Sequence, residues 1–317
     1  MGRIISIINY KGGVGKTTTT FHIGCALAKF HKLKVLLIDD DPQTNLTFLC
    51  TNDKDWKEQV EAHGSLEALY KGFVEGNSVP IRDTIWLHPM PHPDLKNVDL
   101  IPSDITLLDI DLRLQSRTKP STTIQEVART HLSQRSILAD ALAGVAADYD
   151  YILIDCPPNL YLATQNALYA SDGYLVTLMP DYFSAVGVAF LDKKVSQLLG
   201  ERELARQILN PDSIPVPRLP FYLTFVKVNV TAGKMQIVAK EQMASVRGAL
   251  QFANRCFESI TEDYKDIREA TTEQLPVFLH SPNSQNSQNY QRMTQEFLRS
   301  FPNAAQQVNQ QQATTKP

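Results

Sequence analysis

The N-terminal segment IISIINYKGGVGKTTTT limits the possible folds of this chain more than any other stretch. The segment begins with an apolar and largely β-branched run at residues 4–8, which is typical of a strand covered on both faces of a parallel sheet. Gly12, Gly13 and Gly15 then remove side chains from a turn where backbone N–H groups can approach an anion. Residues 18–30 have a helical pattern, so the segment predicts a strand, a glycine loop and a helix in that order.

The same loop predicts a nucleoside triphosphate site with Mg²⁺. Lys16 supplies an ammonium for the phosphates, and Thr17 supplies a hydroxyl suited to Mg²⁺. The N-terminus and the dipole of the following helix would point at the same phosphates. We expect ATP to contact the loop residues, which are Lys11, Gly12, Gly13, Val14, Gly15, Lys16, Thr17 and Thr18.

The loop departs from the usual phosphate-loop pattern at its first position. That pattern opens with a glycine, and this chain has Tyr10 there. A second lysine, Lys11, stands directly before the glycine pair. An isolated loop lysine is ordinarily a solvated charge, but a second cation this close to a polyphosphate favours a role at the nucleotide.

Carboxylates follow two further predicted strands. Residues 34–39 (KVLLID) lead into the sequence DDDPQ, and residues 148–155 (DYDYILID) end at Asp155 and are followed by CPP. Ligands of open parallel sheets bind beyond the carboxyl ends of the strands, so we expect these carboxylates to emerge beside the phosphate loop. Asp155 then has the position of a residue that binds Mg²⁺ through water.

These three segments resemble the ParA/MinD family of deviant Walker A ATPases, whose loop reads KGGxGKT[ST]. The sequence DDDPQ resembles the family's DxDPQ box, with Asp39 and Asp41 in its aspartate positions, and YILIDCPP resembles the IxDxPP box.

The resemblance implies that Lys11 reaches the nucleotide of a partner subunit, while Lys16 serves its own. It also implies that Asp41 activates the attacking water and that Asp39 acts through Mg²⁺-bound water. Relatives commonly have an apolar residue where this chain has Asp40, so we expect the Asp40 side chain to face away from the site. The predicted catalytic residues are Lys11, Lys16 and Asp41, and the predicted metal-site residues are Thr17, Asp39 and Asp155.

The whole chain predicts an α/β fold, in which helices flank a mostly parallel twisted sheet. We expect one ATPase domain over residues 1–302 and a disordered polar tail over residues 303–317, which contain no aromatic residue. Helices are predicted at residues 104–115 (largely buried), 136–147, 239–260 and 284–300. Strands are predicted at residues 84–88, 97–101, 173–179 and 220–228, and residues 268–278 are expected to return to the sheet.

Composition excludes several classes of protein. A net charge of −3 argues against general polyanion binding, so any DNA contact needs a local basic patch. The four cysteines are scattered and show no zinc-like spacing. His88, His92 and Asp94 could suggest a metal site, but the prolines around them favour a turn. No apolar run approaches the length needed to cross a bilayer, and we expect a cytoplasmic, nucleoid-associated protein.

The resemblance implies an ATPase that converts ATP to ADP and phosphate and forms a homodimer when ATP is bound. The dimer would bind DNA without sequence preference, and a ParB-like or other adaptor would stimulate hydrolysis. Plasmid or chromosome partition is the leading use, and positioning of a protein cargo such as a carboxysome is the alternative. A MinD-like membrane switch is disfavoured because the tail is rich in glutamine rather than basic and amphipathic. An electron-transfer or metal-assembly ATPase of the nitrogenase iron-protein type would need paired cysteines that bridge a cluster between subunits. Only Cys156 lies near a predicted switch segment, the loop after the strand that ends at Asp155.

The DNA-binding hypothesis depends on basic residues in the C-terminal third of the chain. Acidic residues such as Asp263 and Asp266 lie among them, so a solvated surface of mixed charge is the alternative. The candidates are Lys227, Lys234, Lys240, Arg247, Lys265 and Arg268.

Overall fold

A seven-stranded parallel sheet forms the centre of the protein, and helices cover both of its faces. The computed structural model describes residues 2–116, 122–181, 184–231, 234–303 and 306. The strands are β1 (Arg3–Ile8), β2 (Val35–Asp39), β3 (Val98–Ile101), β4 (Tyr151–Asp155), β5 (Gly173–Leu178), β6 (Phe221–Val228), β7 (Val230–Thr231), β8 (Lys234–Met235) and β9 (Cys256–Glu262). Their order in the sheet is β3-β2-β4-β1-β5-β6-β9, and β7 and β8 form a separate antiparallel pair. The predicted α/β fold with a parallel sheet is confirmed.

The helices connect these strands and pack against them. They are α1 (Lys16–His31), α2 (Asn45–Cys50), α3 (Asp53–His63), α4 (Leu66–Glu75), α5 (Ile110–Ser116), α6 (Ile124–Arg135), α7 (Ile137–Leu142), α8 (Leu162–Ala170), α9 (Ser184–Leu209), α10 (Ile237–Gly248), α11 (Lys265–Thr272), α12 (Val277–His280) and α13 (Gln285–Ser300). Short 3₁₀ turns lie at Ile81–Thr84, Pro93–Leu95, Ile105–Asp109, Ala146–Asp148 and Leu250–Phe252.

Alternating side chains of the central strands fill two apolar layers. Ile5 and Ile7 pack on the face covered by α1 and α13, whereas Leu36 and Ile38 pack on the opposite face. All four side chains are buried, because parallel strands with helices on both faces leave neither face to solvent. This is why the strand sequences read as continuous apolar runs.

The order of the strands determines which loops meet at the carboxyl edge of the sheet. β1 lies between β4 and β5, and β2 lies on the other side of β4. In register, Asp155 stands beside both Ile7 and Asp39. The loop that follows β1 therefore lies between the carboxylates at the end of β4 and the residues that follow β5.

The helix predicted at residues 239–260 is wrong in its second half. Helix α10 ends at Gly248, a 3₁₀ turn follows, and Asn254 has a left-handed φ of 60°. The chain then forms β9, which pairs in parallel with β6 through register shifts. The local sequence pattern predicted a helix here. The chain forms a strand instead because the edge of β6 offers backbone groups with which β9 can pair.

The expected return of residues 268–278 to the sheet is also wrong. These residues complete α11 and enter the short helix α12, which begins after Pro276. Gln274 turns the chain between the two helices with a φ of 54°, and its amide donates to the carbonyls of Phe48 and Thr51. The last strand of the sheet is thus β9.

Residues 104–115 were predicted to form a largely buried helix, but only one side of this segment is buried. They form a 3₁₀ turn followed by α5, in which Leu107, Ile110 and Leu114 are buried. Ile105, Leu108 and Leu112 are exposed on the opposite side. Leucine content alone therefore overestimated the burial of this helix.

Two further segments differ from their sequence predictions or are only partly described. Residues 84–88 make a single antiparallel bridge, between Trp86 and Leu100, rather than a strand. Asn303 is buried, and Gln306 accepts a hydrogen bond from the Tyr151 hydroxyl at 2.9 Å. The rest of the predicted disordered tail, residues 304–305 and 307–317, lies outside the described residues.

Candidate nucleotide-binding site

The phosphate loop joins the end of β1 to the start of α1. Gly13 and Gly15 have φ angles of 73° and 74°, a left-handed conformation that glycine adopts without steric cost. A Cβ on Gly15 would also lie 3.0 Å from Cγ2 of Val226. The glycines at these two positions are thus required by backbone conformation and, at Gly15, by close packing.

Backbone and side-chain hydrogen bonds hold the loop in shape. The Asn9 amide donates to the Thr177 carbonyl at 2.7 Å, and its oxygen accepts from the Lys11 N–H at 3.0 Å. The Lys16 ammonium donates to the Lys11 carbonyl at 3.1 Å. Burial lowers the pKa of Lys16, while the nearby carboxylates of Asp155 and Asp41 oppose that shift.

Asp155 lies directly under the loop. Its carboxylate accepts hydrogen bonds from the Thr17 hydroxyl at 2.6 Å and from the Thr20 hydroxyl at 3.4 Å. Burial, and then the charge of Asp39, raise its pKa well above the usual range, against the opposing effect of the Thr17 hydrogen bond. A cation bound at Thr17 would relieve this unfavourable burial of negative charge.

Asp39 is tied to the helix that follows its strand. Its carboxylate accepts from the Thr47 N–H at 2.8 Å and from the Thr47 hydroxyl at 2.7 Å. Burial raises the pKa of Asp39 to about 7, although these hydrogen bonds favour the charged form. The Thr47 hydroxyl also accepts from the Ser103 N–H at 2.9 Å, which links the segment to the end of β3.

Asp41 and Asp40 lie in different surroundings although they are adjacent. Asp41 lines the cleft above the loop, accepts from the Gln43 N–H at 2.9 Å, and has its carbonyl bonded by the Ser103 hydroxyl. Asp40 has no exposed surface and lies 3.5 Å from the Tyr70 hydroxyl on α4. The expectation that Asp40 faces away from the site is confirmed.

Lys11 does not point into the cleft of its own chain. Its ammonium lies 3.2 and 3.3 Å from the two carboxylate oxygens of Asp181, which follows β5. Both side chains are partly exposed. Asp181 was not predicted from the sequence, although its place after a central strand follows the same rule that indicated Asp155.

A cleft of about 430 Å³ opens over the loop, within the range of small-ligand pockets. It contains seven of the eight predicted nucleotide-binding residues, residues 12–18, together with Asp41. The other lining residues were not predicted as nucleotide contacts, and one of them, Lys227, was predicted to contact DNA instead. They are Gln43, Asn45, Leu49, Pro158, Lys227 and Thr271.

The six basic candidates for DNA binding do not share one environment. Lys227 contacts the phosphate loop, and Arg247 donates to the carbonyls of Phe257 and Glu258 on β9. Lys265 pairs with Glu269 one helical turn away. The remaining three candidates are exposed; they are Lys234, Lys240 and Arg268.

The described part of the chain gives little support to the other hypotheses raised by the sequence, which concern a metal site, the cysteines and a membrane-spanning helix. There, no group of three or more histidine, cysteine or acidic side chains could hold a metal ion. His92 instead accepts from the Asp94 N–H in the 3₁₀ turn, which confirms the predicted turn. Cys25, Cys50 and Cys156 are buried as free thiols. No helix among the described residues is both long and apolar enough to span a bilayer.

His22 is a buried histidine in α1, six residues after Lys16. Its ring stacks on Tyr290 with 4.2 Å between centroids, and Nδ1 lies 2.7 Å from the Thr18 carbonyl. Burial lowers the pKa of His22 to about 4 from an ordinary value of 6.5. The unfolded chain therefore takes up the proton first, and we expect His22 to destabilise the fold progressively as the pH falls from 6.5 to 4.

The test compares the free energy of unfolding of the native protein and of His22→Phe across this pH range. The raised pKa values of Asp39 and Asp155 act in the opposite direction, but they are common to both proteins and cancel in the difference. We expect the native protein to lose about 3 kcal/mol relative to the variant between pH 7 and pH 4. A pH-independent difference would contradict this account of His22.

The sheet, the glycine loop at the start of α1 and the carboxylate under Thr17 define a phosphate-loop nucleotide-binding protein of the α/β class. A family model described as an AAA domain matches residues 2–208 of the chain. The chromosome partitioning protein ParA of Myxococcus xanthus is 31% identical over 300 residues, which cover 94% of this chain and 89% of the relative. The sporulation initiation inhibitor protein Soj of Bacillus subtilis is 30% identical over 296 residues, which cover 93% of this chain and 98% of that protein. The chain belongs to the ParA/MinD family of ATPases.

Solved structures share the fold at lower identity. The apo form of McdA from Cyanothece has a TM-score of 0.67 and 19% identity, with 94% of this chain and 100% of that chain covered. A plasmid partition protein from Borrelia burgdorferi, bound to AMPPNP, has a TM-score of 0.62 and 22% identity, with 94% and 99% covered. Cobyrinic acid a,c-diamide synthase from Mycobacterium smegmatis, bound to ADP and magnesium, has a TM-score of 0.64 and 22% identity, with 96% and 99% covered.

Proposed function

We propose that this protein is a ParA-like positioning ATPase that uses ATP and Mg²⁺. The single observation that carries the proposal is the cleft over residues 12–18, where Lys16, Thr17 and Asp41 meet above the buried carboxylate of Asp155. The relation to Soj and to ParA supports the use in partition. Solved relatives bound to ATP, to its analogue or to ADP and magnesium support the choice of ligand.

The nucleotide phosphates would bind to the backbone N–H groups of the loop and to the Lys16 ammonium. The oxygen donors present suit Mg²⁺: the Thr17 hydroxyl would ligate it directly, and Asp155 and Asp39 would hold its waters. Bound Mg²⁺ would neutralise charge that develops on the phosphates. Asp41, at the mouth of the cleft, would orient and activate the attacking water, and hydrolysis would give ADP and phosphate.

Lys11 supports the dimer in this proposal. Its ammonium forms a partly exposed ion pair with Asp181 outside the cleft of its own chain, where a second subunit placed against this edge would contact it. Two ATP-bound subunits would thus form a sandwich in which each Lys11 reaches the other's phosphates. A ParB-like or other adaptor would stimulate hydrolysis and release the dimer.

DNA binding is expected to require ATP and to show no sequence preference. Binding of the native protein to random duplex DNA, measured against salt concentration, tests this directly. We expect binding at low salt with ATP but not with ADP, and a shallower salt dependence, by about one counterion, for Lys240→Ala. Lys54→Ala, an exposed lysine on α3, is the matched control. Absence of ATP-dependent binding at low salt would leave these basic residues as a solvated surface of mixed charge.

The two leading functional hypotheses, DNA partition and positioning of a protein cargo, differ in the cargo that the ATPase moves. Partition of a plasmid or chromosome and positioning of a protein cargo share the same ATPase cycle, and the adaptor decides between them. Identification of the partner that stimulates hydrolysis therefore resolves the use: a DNA-bound adaptor indicates partition. ATP-dependent sedimentation with anionic vesicles would instead favour a membrane switch.

A further inference from the structure

Lys227 lies on the phosphate loop, although its sequence position suggested a contact with DNA. Its ammonium donates to the Gly13 carbonyl at 2.8 Å, across 214 residues of chain. The residue also lines the cleft that contains Lys16 and Thr17. At this position Lys227 is placed to contact a nucleotide bound in the cleft rather than a DNA duplex.

The backbone of Lys227 is what turns its side chain toward the loop. Neighbouring side chains of a regular strand point to opposite faces of the sheet. Val226 nevertheless packs against Gly15, and the Lys227 Cε would lie 4.0 Å from a Cβ on that same glycine. Both side chains reach the loop because Lys227 has a left-handed φ of 52° near the end of β6. Non-glycine residues keep this conformation only where surrounding contacts enforce it, and such positions cluster at ligand sites.

The charges around the loop also favour a second cation within the same chain. Lys11 is held by Asp181, whereas Lys16 and Lys227 each rest on a carbonyl of the loop. Asp41 faces the same cleft with a negative charge. A bound triphosphate would place several negative charges between these groups, and a second ammonium from its own subunit would offset part of that charge.

We propose that Lys227 is a nucleotide-binding residue that contacts the phosphates of ATP bound to its own subunit. The proposal rests on the ATP site proposed above and removes Lys227 from the set of DNA contacts. It predicts a charge-dependent contribution to affinity that grows from AMP to ADP to ATP. A lysine that only braced Gly13 would support all three nucleotides equally.

The experiment measures equilibrium binding of N-methylanthraniloyl derivatives of ATP, ADP and AMP to the full chain with Mg²⁺. We expect Lys227→Met to weaken ATP binding by roughly tenfold, ADP binding by less, and AMP binding not at all. Lys227→Arg restores the charge and is expected to recover most of the ATP affinity. Lys227→Asn, which tolerates a left-handed φ, gives a second uncharged variant if the methionine variant unfolds. Lys54→Met, an exposed lysine on α3 outside the cleft, is the matched control.

Two results would overturn the proposal. An equal loss of affinity for all three nucleotides would make Lys227 a brace of the loop. Unchanged ATP affinity in the uncharged variants, with or without weaker DNA binding at saturating ATP, would remove Lys227 from the site. Failure of the native protein to bind MgATP at all is a separate outcome, which would overturn the proposed function itself.

Discussion

ATP hydrolysis is expected to fall by about 100- to 1,000-fold when Asp41 is replaced by alanine, while ATP binding is retained. Asp41 is the one carboxylate of the DDDPQ sequence that lines the cleft, and its N–H and carbonyl are fixed by Asp39 and Ser103. The phosphate contacts proposed for Lys16 and the loop do not involve it. Single-turnover hydrolysis and nucleotide affinity, measured separately, test the two halves of this prediction.

Asp40→Asn is the matched control for this prediction. Asp40 is the adjacent carboxylate in sequence, but it is buried near Tyr70 rather than in the cleft. We expect its asparagine variant to hydrolyse ATP within about threefold of the native rate, since asparagine keeps an acceptor for the tyrosine hydroxyl. Equal losses in the two variants would show that the DDDPQ segment acts through its fold and not through Asp41.

ATP-dependent dimerisation is expected to weaken by at least about 100-fold in Lys11→Ala, and hydrolysis to fall with it. In the single chain the Lys11 ammonium contacts Asp181, and Lys11 does not line the cleft over the loop. Its loss should therefore leave ATP binding to the monomer nearly unchanged, whereas the dimer would lose a charged contact with the phosphates. Lys16→Ala, in contrast, should lose nucleotide binding outright.

Sedimentation of the variants with MgATP measures the dimer directly. The Asp41→Ala background is expected to prevent hydrolysis from dissociating the dimer, so Lys11→Ala is best compared within that background. Lys54→Ala provides a surface lysine whose loss should change nothing, as its side chain is 82% exposed. If the Lys11 variant dimerised with ATP and hydrolysed it at the native rate, the assignment of Lys11 to a partner's nucleotide would be wrong.

The C-terminal third of the chain was the hardest part to predict. Residues 256–262 carry a pattern compatible with a helix, and they became β9 because the edge of β6 was open to pairing. Residues 268–278 became two short helices because α11 and α12 pack against α13, and Phe278 packs against His22 and Phe30 of α1, rather than pairing with a strand. In both places the outcome depended on neighbours that are remote in sequence.

Local sequence was sufficient to predict the strand, the glycine loop and the helix at the N-terminus, together with the carboxylates of Asp39, Asp41 and Asp155. Each of these follows from backbone conformation within a few residues, or from the rule that ligands meet the carboxyl ends of parallel strands. The contacts of Lys11 with Asp181 and of Lys227 with Gly13 emerge only in the folded chain, since these pairs are 170 and 214 residues apart. The order of strands in the sheet brings such residues together, and no local pattern contains that order.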